Sequence, residues 1–244
     1  MKIGVIDTGL GGLDILNKLL NKYPQNEYIY MCDNYNCPYG IKSKEEVHKL
    51  IIKILNYMEA LNVNLLVVAC NTISTFIDDL RQNYSFPIYT ILDYNAKILN
   101  ERYKYKKVSI IATSLTIRSE AYFYKTNDID IQFVNGSYLT KLIEDDEQNK
   151  IEHEIKTLIK QCDKESEAIL LGCTHYALYK DVFIKKNCKK LFIEGSKDLI
   201  YDLPLDKFNS KSSLNIILTN YDENYLLKIN RFINSKYNIH KIKL

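Results

Sequence analysis

Two stretches of the chain, LLVVACNTIS at 65–74 and AILLGCTHYA at 168–177, share one design. Each is an apolar run that ends on a cysteine and passes at once into hydrogen-bonding residues and a helical pattern. A short apolar run opening directly into a helix is the mark of a parallel strand covered on both faces, and ligands of such sheets gather at the carboxyl ends of the strands. The strand ahead of each run repeats as well: KIGVIDTGL (2–10) aligns without a gap on KVSIIATSL (107–115). From Asp7 to Cys70 is 63 positions, and from Ala112 to Cys173 is 61. The second half therefore reads as a degenerate copy of the first. This predicts two similar doubly wound α/β domains related by a pseudo-two-fold axis, residues 1–93 with 207–244 forming one and 94–206 the other. A free cysteine is often only buried filler. Two at matched strand ends would instead put one thiol on each wall of a single cleft between the domains.

The rest of the chain fits this frame. Strand-like runs fall near 2–6, 28–32, 65–69, 88–92, 108–112, 129–134, 168–171, 190–193 and 214–218, with helical patterns filling most gaps. The clearest helix opens on a capping box, Ser43 with Glu46, and carries Val47, Leu50, Ile51, Ile54, Leu55 and Met58 as a core stripe. The crossover between halves is expected near Asp93, and the return to the first domain around 205–214, where DKFNSKSS is polar and unpatterned. A last helix is expected from about Asp222 to Ile233. The basic ending SKYNIHKIKL reads as a solvated tail.

Composition excludes several classes of partner. The 244 residues suffice for two ordinary domains, 46% are hydrophobic and 26% charged, and no 18-residue apolar run exists to span a membrane. The first strand begins at Lys2, which leaves no room for a signal peptide, so the chain is expected to stay in the cytoplasm with its thiols reduced. Net charge is only +3, and just four of the 33 basic residues are arginine, so nucleic acid is not an expected partner.

The residues around the thiols suggest a small ligand. Gly9, Gly11 and Gly12 in DTGLGGLD let the backbone turn into a helix whose first amides can hold an anion. The loop lacks the spacing of dinucleotide and phosphate motifs, and a small carboxylate fits better. Tyr39 and Gly40 precede the capped helix, where the PYG turn could equally be a plain turn. Asn71, Thr72, Thr174 and His175 flank the cysteines and together form a cradle for carboxylate and ammonium groups. Cys32 and Cys37 are five apart, Cys162 and Cys188 stand alone, and the four histidines make no zinc-like pair, so no metal is expected.

DTGLGG, PYG, ACNT, ATSLTIRSEAY, LTKLIE and GCTHY occur in the order and approximate spacing of the bacterial glutamate racemases, which the chain resembles from residue 2 to the last helix. That family works without pyridoxal phosphate or any other cofactor, through two cysteines on opposite faces of the substrate. The resemblance implies that Cys70 and Cys173 are the proton donor and acceptor, assisted by Asp7 and His175, with Glu144 a further acidic neighbour. It implies that Thr8, Tyr39, Gly40, Asn71, Thr72, Thr113, Thr116 and Thr174, together with Asp7 and His175, hold the amino acid. It further implies glutamate as substrate, a homodimer, and supply of D-glutamate for peptidoglycan. The chain departs from the family pattern at Thr8, usually serine, and at Ala177, usually proline, and is somewhat shorter than most relatives.

Inverting an α-carbon needs one acid/base group on each face, one thiol and one thiolate. An unperturbed cysteine titrates near 8.5, so the thiolate costs only about 2 kcal/mol at pH 7. The carbanion is the harder problem, for which the amides after Asp7 and the side chains of Asn71 and Thr174 are the expected donors. A Cys-His hydrolase would use one thiol and leave the other unexplained. A non-catalytic amino-acid binding protein would need neither, and decarboxylases of this fold need one.

Overall fold

All ten strands are parallel and lie in two separate sheets in the computed structural model, which describes residues 1–205 and 212–244. The strands are β1 (Lys2–Asp7), β2 (Glu27–Cys32), β3 (Leu65–Val68), β4 (Ile88–Thr90), β5 (Lys107–Ala112), β6 (Asp130–Asn135), β7 (Ala168–Gly172), β8 (Leu191–Ile193), β9 (Ser213–Leu218) and β10 (Asn238–Lys241). One sheet has the order β10-β9-β2-β1-β3-β4 and the other β6-β5-β7-β8. The last four strands of the first order, 2-1-3-4, are repeated as 6-5-7-8 in the second, which is the internal copy that the sequence alignment implies. The thiols Cys70 and Cys173 follow β3 and β7, the equivalent strands of the two sheets.

The central strands are largely apolar because helices cover both faces. In β5 the pleat sends neighbouring side chains to opposite layers, so that Ile110 joins one buried cluster and Ile111 another. Two further clusters sandwich the larger sheet. Ser43 Oγ caps the helix Lys44–Ala60 by accepting from Glu46 N at 3.1 Å, and its Val47, Ile51, Ile54, Leu55 and Met58 are buried, with Leu50 packed beside them. Asp93 lies in the first turn of the helix Ile91–Arg102. The segment 206–211, within the expected return to the first half, lies outside the described residues.

The C-terminal expectation needs correction. The basic ending is not a solvated tail: Asn238–Lys241 pairs with β9 as an edge strand, and Ile242 and Leu244 pack against the core. Its charged residues belong to the way sheets protect an edge from further pairing. Among the described residues no helix is long and apolar enough to cross a membrane.

Candidate active site

The strand ends of the two halves meet through Asp7, the last residue of β1. Its Oδ1 accepts from Gly9 N at 3.0 Å, and its Oδ2 accepts from the Thr174 hydroxyl of the other half at 3.0 Å. The loop after Asp7 presses closely on the Cys173 side. A Cβ on Gly11 would stand 2.4 Å from Thr174 Oγ1, and one on Gly9 would stand 1.9 Å from Glu144 Oε1. No described glycine has a positive φ, so these are glycines for close approach, not for an unusual turn. The loop amides are also not the open anion site that the sequence suggests. Gly9 N is used by Asp7, and Leu10 N donates to Glu144 Oε1 at 2.7 Å. The protein's own carboxylates take these two donors.

On the first wall, Cys70 is the N-cap residue of the helix Asn71–Ser74 and is 6% exposed. Thr8 Oγ1 lies 3.9 Å from its Sγ and also accepts from Cys37 Sγ at 3.8 Å. Burial, helped by the charge of Asp7, pushes the Cys70 thiol well up, so the unliganded site holds it protonated.

The second wall is chemically different. Cys173, N-cap of the helix Thr174–Ala177, has His175 Nδ1 at 3.6 Å and Thr140 Oγ1 at 3.7 Å from its sulfur. His175 Nε2 faces Glu144 Oε1 at 2.5 Å. Glu144 is held in turn by Leu10 N, by the Tyr225 hydroxyl at 3.1 Å and, at its backbone oxygen, by Lys228 Nζ. Burial disfavours charge on His175, but its contacts with Cys173 and Glu144 outweigh this and hold the imidazole well above its ordinary value. Burial raises the Asp7 carboxyl, with His175 opposing.

The expected hydroxyl residues gather between the walls. Thr72, Thr113 and Thr116 form a buried triangle with oxygen separations of 2.9, 3.2 and 3.0 Å, joining the ends of β3 and β5. Gly40 lies against Thr113, where a Cβ would come within 2.5 Å. Tyr39 is buried and its hydroxyl donates to Asp33 Oδ2. Asn71 is 2% exposed and accepts at Oδ1 from both Asn95 and Tyr122, while its Nδ2 has no partner among the described residues. A space of only about 10 Å³ touches Asn71, Cys173 and Thr174, room for one water at most, whereas a cavity of about 750 Å³ lies along Asp14, Lys18, Lys180 and Tyr201.

Of the thirteen expected residues, twelve lie at these strand ends or against residues that do, while Tyr39 sits in the short helix Tyr39–Ile41 with its hydroxyl on Asp33. Sequence reasoning missed Thr140, Asp33, Asn95, Tyr122 and Tyr225, and it weighed Cys37 only as a metal ligand. Thr140 lies inside LTKLIE, the one motif that could have pointed to it. The fold also brings Cys37, Glu144 and His175 to within 4.8 Å of one another, a trio that the spacing of cysteines and histidines does not reveal. Glu144 and His175 already satisfy each other, and burial holds the Cys37 thiol up.

Comparison with known proteins agrees with this geometry. Residues 3–195 match the family model described as Asp/Glu/Hydantoin racemase. A glutamate racemase of Fusobacterium nucleatum is 34% identical over 208 residues, covering 82% of this chain and 78% of that protein. The crystal structure of glutamate racemase from Francisella tularensis in complex with D-glutamate superposes with a TM-score of 0.86 at 25% identity, over 100% of this chain and 97% of that one. A glutamate racemase isoform from Bacillus anthracis superposes with a TM-score of 0.88 at 21% identity, covering 99% and 97%.

Proposed function

The chain belongs to the Asp/Glu/Hydantoin racemase family, and on that premise we propose that it is a glutamate racemase that inverts Cα with Cys70 on one face and Cys173 on the other. The observation that carries this reading is the pair of thiols at equivalent strand ends of a duplicated fold, joined across the cleft by Asp7 and Thr174. In one direction one sulfur, as thiolate, takes the α-proton while the other, as thiol, returns a proton to the opposite face; the reverse reaction exchanges the roles. An imidazolium at His175 donates from Nδ1 to Cys173 and supports negative charge there, and Glu144 keeps it charged. Cys70 lacks such a partner and relies on the incoming substrate ammonium to favour its thiolate. Asn71 Nδ2 and the threonine hydroxyls supply donors for charge that moves onto the substrate carboxylate.

Cys173, His175 and Glu144 also form the chain that a thiol hydrolase would use. The second thiol favours racemisation, because a hydrolase has no task for it. The family role of supplying D-glutamate for peptidoglycan, action as a homodimer and independence of cofactors belong to the same proposal. The test is purified protein with L-glutamate in heavy water, without added cofactor, followed by proton NMR and circular dichroism. Loss of optical activity with deuterium at Cα is expected. Retained optical activity, or a covalent acyl adduct on Cys173 by mass spectrometry, would sink the reading. Sedimentation velocity reads the dimer.

A further inference from the structure

Asn71 follows Cys70 directly, and its buried Nδ2 has no partner among the described residues. A buried donor left unpaired in an otherwise satisfied region calls for a physical reason. The reason lies at the other end of the amide. Asn71 Oδ1 accepts twice, from Asn95 Nδ2 at 3.1 Å and from the Tyr122 hydroxyl at 2.7 Å. Asn95 Nδ2 also donates to the Tyr122 oxygen at 2.9 Å, closing a triangle.

The direction of every bond in the triangle is set from outside it. Asn95 Oδ1 accepts from the backbone N–H of Gly195 at 2.7 Å, and a backbone N–H can only donate. Asn95 must therefore turn its oxygen to Gly195 and its NH2 to Asn71. Asn71 must turn its oxygen to Asn95, which leaves its own NH2 for the cleft. Amide orientations are otherwise ambiguous, and here the network removes the ambiguity. Gly195 suits the task, since a Cβ there would stand 2.9 Å from both Asn95 N and Asn95 Oδ1. Asn95 and Tyr122 are both fully buried, on the helices Ile91–Arg102 and Ala121–Lys125.

We propose that Asn95 and Tyr122 are positioning residues that act through Asn71, locking its amide so that Nδ2 faces the substrate carboxylate before the α-proton leaves. This rests on the racemase reading. A donor already oriented spends nothing on turning when charge develops, so the gain appears in turnover more than in binding. Neither residue touches the substrate.

The experiment is a double-mutant cycle with glutamate, using Asn95→Ala, Tyr122→Phe and Asn71→Ala singly and in pairs. Each of Asn95→Ala and Tyr122→Phe is expected to lower kcat roughly 10-fold, less than the roughly 10²-fold or more of losing a transition-state donor outright, with a smaller change in KM. In the Asn71→Ala background neither should have a further effect on kcat, because the group they orient is gone. Additive losses would overturn the proposal. Tyr122→Phe removes one oxygen and keeps the ring, which guards against a variant that merely unfolds. Wild-type protein inert towards glutamate would overturn the racemase reading alone. The amide lock is then read by 15N NMR: the Asn71 side-chain signals should move in Asn95→Ala, and unchanged signals would overturn it.

Discussion

The two walls of the cleft share a backbone and differ in chemistry. Each presents a cysteine as the N-cap of a four-residue helix after an apolar strand. Cys173 has an imidazole on its sulfur and a carboxylate behind the imidazole, whereas Cys70 has the Thr8 hydroxyl and lies close enough to Asp7 to feel its charge. Duplication can copy a strand, a turn and a thiol. The neighbours come from loops and helices that the repeat does not align, so each copy has its own polar surroundings. Asp7 makes this plain, because its counterpart at the end of β5 is Ala112.

The largest effect should come from deleting either thiol. Cys70→Ala and Cys173→Ala should each cost roughly 10²-fold to 10⁴-fold or more in kcat/KM. The enantiomers have equal free energy in water, so the loss must be the same in both directions. The comparison sharpens in heavy water: each variant keeps one base on one face, so each should exchange the α-hydrogen of only one enantiomer, and opposite enantiomers. Racemisation near the wild-type rate in either variant would end the two-thiol mechanism.

Next come the groups that make the walls unequal. His175→Asn removes a charge-assisted contact to Cys173, which is worth about 1.5–3 kcal/mol, or roughly 10-fold to 150-fold in rate. Thr8→Val removes a neutral contact to Cys70, worth about 0.5–1.5 kcal/mol and roughly 2-fold to 10-fold. Initial rates on both enantiomers decide this. Equal losses would mean that the two thiols are supported alike.

Much of this asymmetry was hidden in the sequence. All nine expected strands are present, because covered parallel strands are nearly continuous apolar runs and stand out. β10 was missed because Asn238–Lys241 is a four-residue edge strand with only Ile239 facing the core. Cys70 and Cys173 were legible from their strand ends. Glu144 was legible only by resemblance, since a glutamate near the end of an amphipathic helix normally faces solvent. Asn95 lies in no motif, Tyr122 only closes ATSLTIRSEAY, and their task depends on a partner, Gly195 N, that lies 100 positions from Asn95.

A smaller effect should follow from Glu144→Gln, which keeps an acceptor for Leu10 N and removes the charge beside His175. The folded imidazole titrates above the ~6.5 of an unfolded histidine. Its contribution to stability is therefore complete below about pH 6.5 and is lost as pH rises through the folded value. The variant should lose most stability below about pH 6.5, with the gap to wild type narrowing above it. Any limb of kcat/KM that falls as His175 loses its proton should move to lower pH. Thermal melts and pH–rate profiles of the pair check both signs, and a limb that stays in place would separate His175 from catalysis.

The smallest effect should come from Cys37→Ala, and it tests whether the cleft has two working thiols or three. Cys37 donates to Thr8 Oγ1 at 3.8 Å and has Glu144 and His175 close by, so distance alone would admit it to the chemistry. Its position sets it apart, because it stands on neither strand end. Its S–H to Thr8 is a weak contact from a poor donor. Turnover should therefore stay within roughly 3-fold of wild type in both directions, the worth of one modest hydrogen bond. Stability should fall by about 1 kcal/mol for the buried sulfur removed, seen as a lower melting temperature. A loss of kcat/KM approaching that of Cys70→Ala would mean that proton transfer on the first wall runs through Thr8 from a third thiol.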